Sequence, residues 1–333
     1  MLRRVSVFFG FGLLAVLTAC GSEDSSSSAA EITPHLPQEA IRTADPFARG
    51  LDHGDFPRVK ELAEGVYSYE QLRSAGEEWF TTVSMFVITS EGVLVADGQG
   101  NVEETQRLVD TIAEITDQPI THVVIASDHG DHTAGNVAFP GDAAFIAHPT
   151  SDQVLRTAAS RWDPGSNAPP VILPTELVED EATLEMGGRE IQILFKGRAH
   201  TGGDLVVYLP EERILFMSEA YLHRVFPAMR SAFPTEWVRM IERVQAMDVD
   251  TYVPGHGFVD SPEVLRDELE IYRQAMVQVI ETVTELHAAG LSLEEAQAQA
   301  DFGELGEWSL SSSQGPIAVA QVYRELDGEL PPE

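Results

Sequence analysis

Four short stretches of this 333-residue chain run from apolar, strand-like sequence into a turn carrying histidine or carboxylate, and that recurrence constrains the fold more than any other feature. The first is His122-Val123-Val124-Ile125-Ala126, which leads into Ser127-Asp128-His129-Gly130-Asp131-His132. The others are Gly197-Arg198-Ala199-His200-Thr201-Gly202-Gly203-Asp204, Phe216-Met217-Ser218-Glu219 and Val253-Pro254-Gly255-His256-Gly257. A neutral imidazole nitrogen or a carboxylate oxygen offers a lone pair to a borderline cation such as zinc. One such cluster is compatible with a polar surface loop. Four of them, each after a strand, argue against that reading and for a site built from strand ends.

The surrounding pattern is α/β. Short β-branched or apolar runs bounded by Gly, Pro or Asp predict strands at 82–89, 93–97, 122–126, 144–147, 191–195, 205–209, 213–217 and 252–254. Asn101 can cap a helix carrying Leu108, Ile112 and Ile115, and Ser261-Pro262-Glu263 starts a long one that Gly290 ends. Ser292-Leu293-Glu294-Glu295 has capping-box form for one more. No repeat interrupts the pattern, which predicts one catalytic domain over 34–285 and a helical C-terminal extension over 286–333.

In order and context, the four segments resemble the motifs of the metallo-β-lactamase superfamily: the His-x-His-x-Asp-His loop, the Gly-His-Thr-x-Gly-Asp histidine, the bridging carboxylate after a strand, and the final Pro-Gly-His. The resemblance covers about 64 to 260, and Ala96-Asp97-Gly98 matches a buried aspartate near the site. It implies a four-layer αββα sandwich with metals at one edge of the two sheets, and one or two zinc ions as cofactor. By position, His129 and His200 fall to a first metal site, and Asp131, His132 and His256 to a second. Glu219 stands where the family has a bridging aspartate, and Ser127 where it has the first histidine. Serine is a poor zinc ligand, so the second site is expected to fill first. Asp131 is the candidate for orienting a metal-bound water. Asp97 is open between orienting a ligand imidazole and bonding backbone amides at a strand end.

The amino terminus has signal-peptide order: a basic start, an apolar run over 5–17 and then small residues before Cys20, the only cysteine. That junction resembles a bacterial lipobox. The expectation is a lipoprotein signal over 1–19, a lipid on Cys20, a flexible tether over 20–33, and a cell-envelope location, anchored to the outer membrane and facing the periplasm. With no other cysteine, a metal must be held by imidazole and carboxylate. The formal charge of −33, from 21 Lys and Arg against 54 Asp and Glu, repels polyanions and disfavours nucleic acid as a partner. A small-molecule substrate is expected, and no obligate protein partner is evident.

Several other residues are weighed and set aside. His148 reads as a core-edge histidine. Tyr221, His223 and Arg224 follow Glu219 closely, and Arg224 or Arg230 could steer a substrate carboxylate through a planar guanidinium. Trp79-Phe80 and Arg161-Trp162 stand open between pocket wall and ordinary structure. Three functions follow. The first is a metal-dependent hydrolase of a small β-lactam, lactone or thioester. The second is a metal-binding or interaction lipoprotein that has lost hydrolysis through Ser127 and Glu219. The third is an iron-dependent enzyme of thiol or sulfur chemistry, since the same ligands suit iron.

Overall fold

The computed structural model describes residues 42–332. The signal, Cys20 and the tether lie outside the described residues. Twelve strands form the core: β1 (Arg58–Ala63), β2 (Val66–Ala75), β3 (Glu78–Thr89), β4 (Gly92–Ala96), β5 (Ile120–Val124), β6 (Ala144–Ala147), β7 (Glu176–Leu177), β8 (Glu181–Met186), β9 (Arg189–Phe195), β10 (Leu205–Leu209), β11 (Ile214–Leu222) and β12 (Thr251–His256). They run in the order β7-β6-β5-β4-β3-β12-β11-β10-β9-β8, with β1 and β2 added beside β3. The two halves of this order meet only where His256 of β12 pairs with Thr82 of β3, so each half acts as a sheet of its own.

Among the described residues seven α-helices complete the layers: α1 (Val102–Ile115), α2 (Gly130–Thr133), α3 (Pro149–Arg161), α4 (Pro234–Gln245), α5 (Pro262–Ala288), α6 (Leu293–Gln299) and α7 (Ser311–Leu326). Strand β4 shows why layers form. Its residues are buried on both faces, with Leu94 and Ala96 entering the larger core and Val93 and Val95 the smaller one beneath α1 and α3. Leu108 and Ile112 of α1 fill that smaller core, and the Asn101 side chain accepts the Glu104 N–H to start the helix. On the other side Trp237, Met240, Ile241 and Val244 of α4 and Leu265, Leu269, Tyr272 and Met276 of α5 close the larger core. This is the αββα sandwich with a C-terminal helical extension that the sequence predicts.

The expected strands are all present, with shifted ends. Strands β1, β2, β7 and β8 and helices α2, α3 and α4 were not predicted, and α7 was expected only as part of the helical extension over 286–333. β1 is largely exposed and β7 has two residues, so neither carries a buried stripe. In α7, Gly315 and Pro316 fall in the second turn and disguise the helix. One difference bears on the site: β11 continues to Leu222, so Glu219 lies within the strand rather than in a loop after it. The register shifts between Phe216 and Ser218, and Ser218 takes a left-handed φ of 48°. Gly255 makes this possible, because a Cβ there would sit 2.3 Å from the Ser218 carbonyl carbon.

Candidate metal centre

The strand ends deliver the ligand-type side chains as two clusters that share Glu219. One contains Asp131, His132, Glu219 and His256, the other His129, His200 and Glu219. The chain leaves β5, turns at His129 and enters the one-turn helix α2, which carries Asp131 and His132. His200 sits on the loop before β10, and His256 is the last residue of β12.

In the first-named cluster the His132 and His256 Nε2 atoms lie 3.4 Å apart. His256 Nε2 is 3.3 Å from Asp131 Oδ2 and 3.3 Å from Glu219 Oε1. The opposite nitrogen fixes the tautomer at His256. His256 Nδ1 lies 2.8 Å from the Thr81 carbonyl oxygen, which only accepts, so Nδ1 carries the proton and Nε2 presents its lone pair. His132 Nδ1 lies 3.0 Å from Asp97 Oδ2, a close contact bent away from good hydrogen-bond geometry, which likewise leaves Nε2 facing its neighbours. Two lone pairs and two carboxylates pointing at one space repel unless a cation lies among them, which is the chemistry of a metal site.

The other cluster is held differently. His129 Nδ1 is 2.9 Å from His200 Nε2 and 3.2 Å from Glu219 Oε2, and His200 Nε2 is 3.1 Å from Glu219 Oε1. His200 Nδ1 is buried and has no hydrogen-bond partner among the described residues. Trp237 supports this ring from the side, edge-on at 5.3 Å, while its Nε1 donates to the Ala220 carbonyl. Ser127 Oγ donates to Glu219 Oε2 at 2.5 Å and so touches the shared carboxylate directly.

Electrostatics agree with a site built for positive charge. Burial lowers the affinity of His129 and His256 for protons, yet it is outweighed. Glu219 dominates at His129 and hydrogen bonding to Asp131 and Glu219 at His256, raising each to about 9. Burial and Glu219 push the Asp131 carboxyl up, but its hydrogen bond to His256 and the charge of His132 hold it below the usual carboxylate range. At His200 burial prevails and the ring is pushed down, toward the neutral form that a metal needs.

Asp97 is placed for both tasks that the sequence left open. Its Oδ1 accepts the Ala126 N–H at 2.8 Å, and its Oδ2 accepts the Ser218 hydroxyl and faces His132. A φ of 61° at Asp97 aims the carboxylate at all of them. Of the residues set aside, His148 caps α3 by accepting the Thr150 N–H, as a core-edge histidine should. Tyr221, His223 and Arg224 bond to Leu265, Phe258 and Glu268, away from the clusters. Trp79 packs on Phe47 and His53, and Trp162 Nε1 donates to Ala168 O.

A cleft of about 440 Å³ opens over the clusters, and Phe80 and Arg230 line it. So do residues that sequence reasoning missed: Arg73, Leu310 and Gln314. Arg73 Nε lies 3.5 Å from Asp131 Oδ2. It comes from β2, whose register against β3 pairs it with Phe80, and nothing in the sequence marks that strand as part of the site.

A model of the metallo-beta-lactamase superfamily matches residues 78–256, more than half of the chain. The chain belongs to the metallo-β-lactamase superfamily. Among curated members, a type 2 metallo-beta-lactamase from Bacillus sp. (strain 170) is 23% identical over 65% of this chain and 82% of its own. The alpha subunit of 2,4-dinitroanisole O-demethylase from Nocardioides sp. (strain JS1661) is 26% identical over 59% of this chain and 60% of its own length. The linear primary-alkylsulfatase of Pseudomonas sp. (strain ATCC 19151) is 22% identical over 62% of this chain, which spans 47% of that enzyme. The metallo-β-lactamase fold itself is shared with the solved metallo-beta-lactamase of Pontibacter korlensis, at a TM-score of 0.57 and 21% identity, over 65% of this chain and 98% of that one.

Proposed function

We propose that this chain is a metal-dependent hydrolase of a small carboxyl-type substrate, such as a β-lactam, lactone or thioester. The observation that carries this reading is the pair of ligand clusters sharing Glu219 at the floor of an open cleft. When bound, zinc there would lower the pKa of a water to near neutrality and polarise the carbonyl that the water attacks. His129 and His200 would hold one ion, and Asp131, His132 and His256 the other, with Glu219 between them. Asp131, whose carboxyl is held below the usual carboxylate range, faces the cleft and accepts from His256, which suits it to orient the attacking water. Arg73 offsets its charge from the cleft side.

The relatives are named as a metallo-beta-lactamase, an O-demethylase subunit and an alkylsulfatase, so the fold alone does not choose the substrate. Anchoring through Cys20 and residence in the cell envelope are part of the same proposal and rest on the amino-terminal sequence. The test is metal stoichiometry by elemental analysis, with chromogenic β-lactam, lactone and thioester turnover before and after chelation. Turnover that chelation abolishes and zinc restores supports the reading. Tightly bound metal with no turnover of any of these would replace it with a binding protein, and iron as the native ion would redirect it to thiol chemistry.

A further inference from the structure

The two positions at which this chain departs from the superfamily pattern, Ser127 and Glu219, touch each other across a separation of 92 residues. Both side chains are buried, and Ser127 Oγ stands 2.5 Å from Glu219 Oε2. The direction of this bond is fixed. An ionised carboxylate only accepts, so the proton in it belongs to the serine hydroxyl, whose oxygen in turn accepts the His129 N–H at 3.3 Å. The Ser127 N–H leans on Asp97 Oδ1 at 3.4 Å, and the other oxygen of Asp97 faces His132. Ser127 is thus held in place by the frame of the centre while its hydroxyl is directed at one ligand-type oxygen.

The two oxygens of Glu219 face different neighbours as a result. Oε1 lies 3.1 Å from His200 Nε2 and 3.3 Å from His256 Nε2, one imidazole from each cluster. Oε2 lies 3.2 Å from His129 Nδ1 and against the serine. The backbone behind this carboxylate is already pinned, since Glu219 lies inside β11 after the bulge that Gly255 admits, and the Ala220 carbonyl accepts from Trp237 Nε1. The side chain is another matter. Glutamate has one more torsion than aspartate, and its carboxylate turns easily about the last bond. Among the described residues, the one hydrogen-bond partner of Glu219 that is not itself a candidate ligand is Ser127.

We propose that Ser127 and Glu219 act as one unit, in which Ser127 is a positioning residue whose hydroxyl holds Oε2 so that Oε1 is the oxygen offered to both halves of the metal centre. A carboxylate ordered before the ion arrives has less freedom to lose on binding, which offsets part of the affinity forgone when position 127 carries no imidazole. The two departures are therefore coupled: the short residue supplies the donor that the long one needs. This rests on the metal centre in the reading above and not on which bond is cleaved.

The experiment is a double-mutant cycle on zinc affinity, measured by competition with a chelating dye. Ser127→Ala should weaken binding of the first zinc by about 10–100-fold, because Oε1 serves both halves. Glu219→Asp, too short to reach the serine and the imidazoles together, should also lose affinity, and in that background Ser127→Ala should cost almost nothing further. Ser127→Thr, which keeps the hydroxyl, should bind zinc more tightly than Ser127→Val, which has the same shape without it. That pair separates the hydrogen bond from damage to packing. Cobalt-loaded protein gives a second readout, since a released carboxylate can present both oxygens, raise the coordination number and lower the visible absorbance of Ser127→Ala below that of the wild type. Losses for Ser127→Ala and Glu219→Asp that simply add, or equal affinities for the threonine and valine variants, overturn the inference while the metal centre stands. If zinc binds and no substrate is turned over, the hydrolase reading fails and the cycle still decides the inference. If the wild type binds no zinc, both fall.

Discussion

The two halves of the metal centre share Glu219 and differ in what stands behind their imidazoles. Behind His132 and His256 are Asp97 and the Thr81 carbonyl, each facing the nitrogen remote from the cluster. Behind His200 no described residue accepts at Nδ1, and Ser127, which stands where the family has its first histidine, donates its proton to Glu219. An imidazole whose far nitrogen is engaged keeps its tautomer and its aim before any ion arrives, so less ordering remains for binding. The half with His132 and His256 should therefore hold its ion more tightly. A partner-free Nδ1 leaves His200 free to choose either tautomer.

Removing a ligand from the better-held half should have the largest effect. His256→Ala deletes a lone pair and leaves Asp131 and Glu219 facing each other, and turnover should fall by more than the roughly 10–100-fold that loss of an outer partner costs. His200→Ala should cost less, because its half binds more weakly. Measuring metal content and kcat/KM for both variants tests the comparison, and an equal or larger loss in His200→Ala would break it.

Next in size is the support itself. Asp97→Asn keeps the shape but can turn an amide N–H toward His132 Nδ1, and metal affinity should drop about 10–100-fold in competition with a chelating dye. The loss should fall on the ion held by Asp131, His132 and His256. An unchanged affinity would mean that Asp97 serves only the Ala126 and Ser127 amides.

Ser127→His sharpens the comparison by trying to equalise the halves. A third imidazole beside His129 and His200 should move the titration end point from about one zinc per chain toward about two. Stoichiometry that stays at about one would indicate that Glu219, not Ser127, limits this half.

How much of this could be read beforehand follows from where the signals lie. The ligands were legible because each sits in a short segment of fixed composition after an apolar run, and those segments were placed correctly even where the strand end was not. Glu219 shows the limit: its residue type was plain, but the bulge at Ser218 that brings it inside β11 depends on Gly255 from a strand 36 residues further on. Arg73, Leu310 and Gln314 were not legible at all, since their part in the cleft arises from β2 pairing with β3 and from α7 folding back, contacts that no local pattern encodes. Helix α4 was readable and missed: Trp237, Met240, Ile241 and Val244 have helical spacing behind Pro234.

The smallest effect on metal binding, and the most specific test of the asymmetry, concerns a second buried aspartate. Asp204 stands behind the His200 loop as Asp97 stands behind His132, but it is half satisfied: Oδ2 accepts the Thr201 N–H at 2.7 Å while Oδ1 has no partner among the described residues. Burial raises its carboxyl to about 7, with hydrogen bonding to Thr201 working against the rise. In the unfolded chain the same group titrates near about 3.9. Between those values the folded chelated protein keeps a proton that the unfolded chain has released, so stability is greatest below about pH 4 as far as this group is concerned, and falls as pH rises toward 7, by at most about 1.4 kcal/mol per pH unit. Asp204→Asn can still accept from Thr201 and has no proton to lose. Denaturant midpoints of the chelated protein across pH 4 to 7 should therefore fall less steeply in the variant than in the wild type, while the zinc content of the loaded protein stays the same. Parallel pH profiles would show that Asp204 is as well satisfied as Asp97, and that the asymmetry between the halves ends at the ligands themselves.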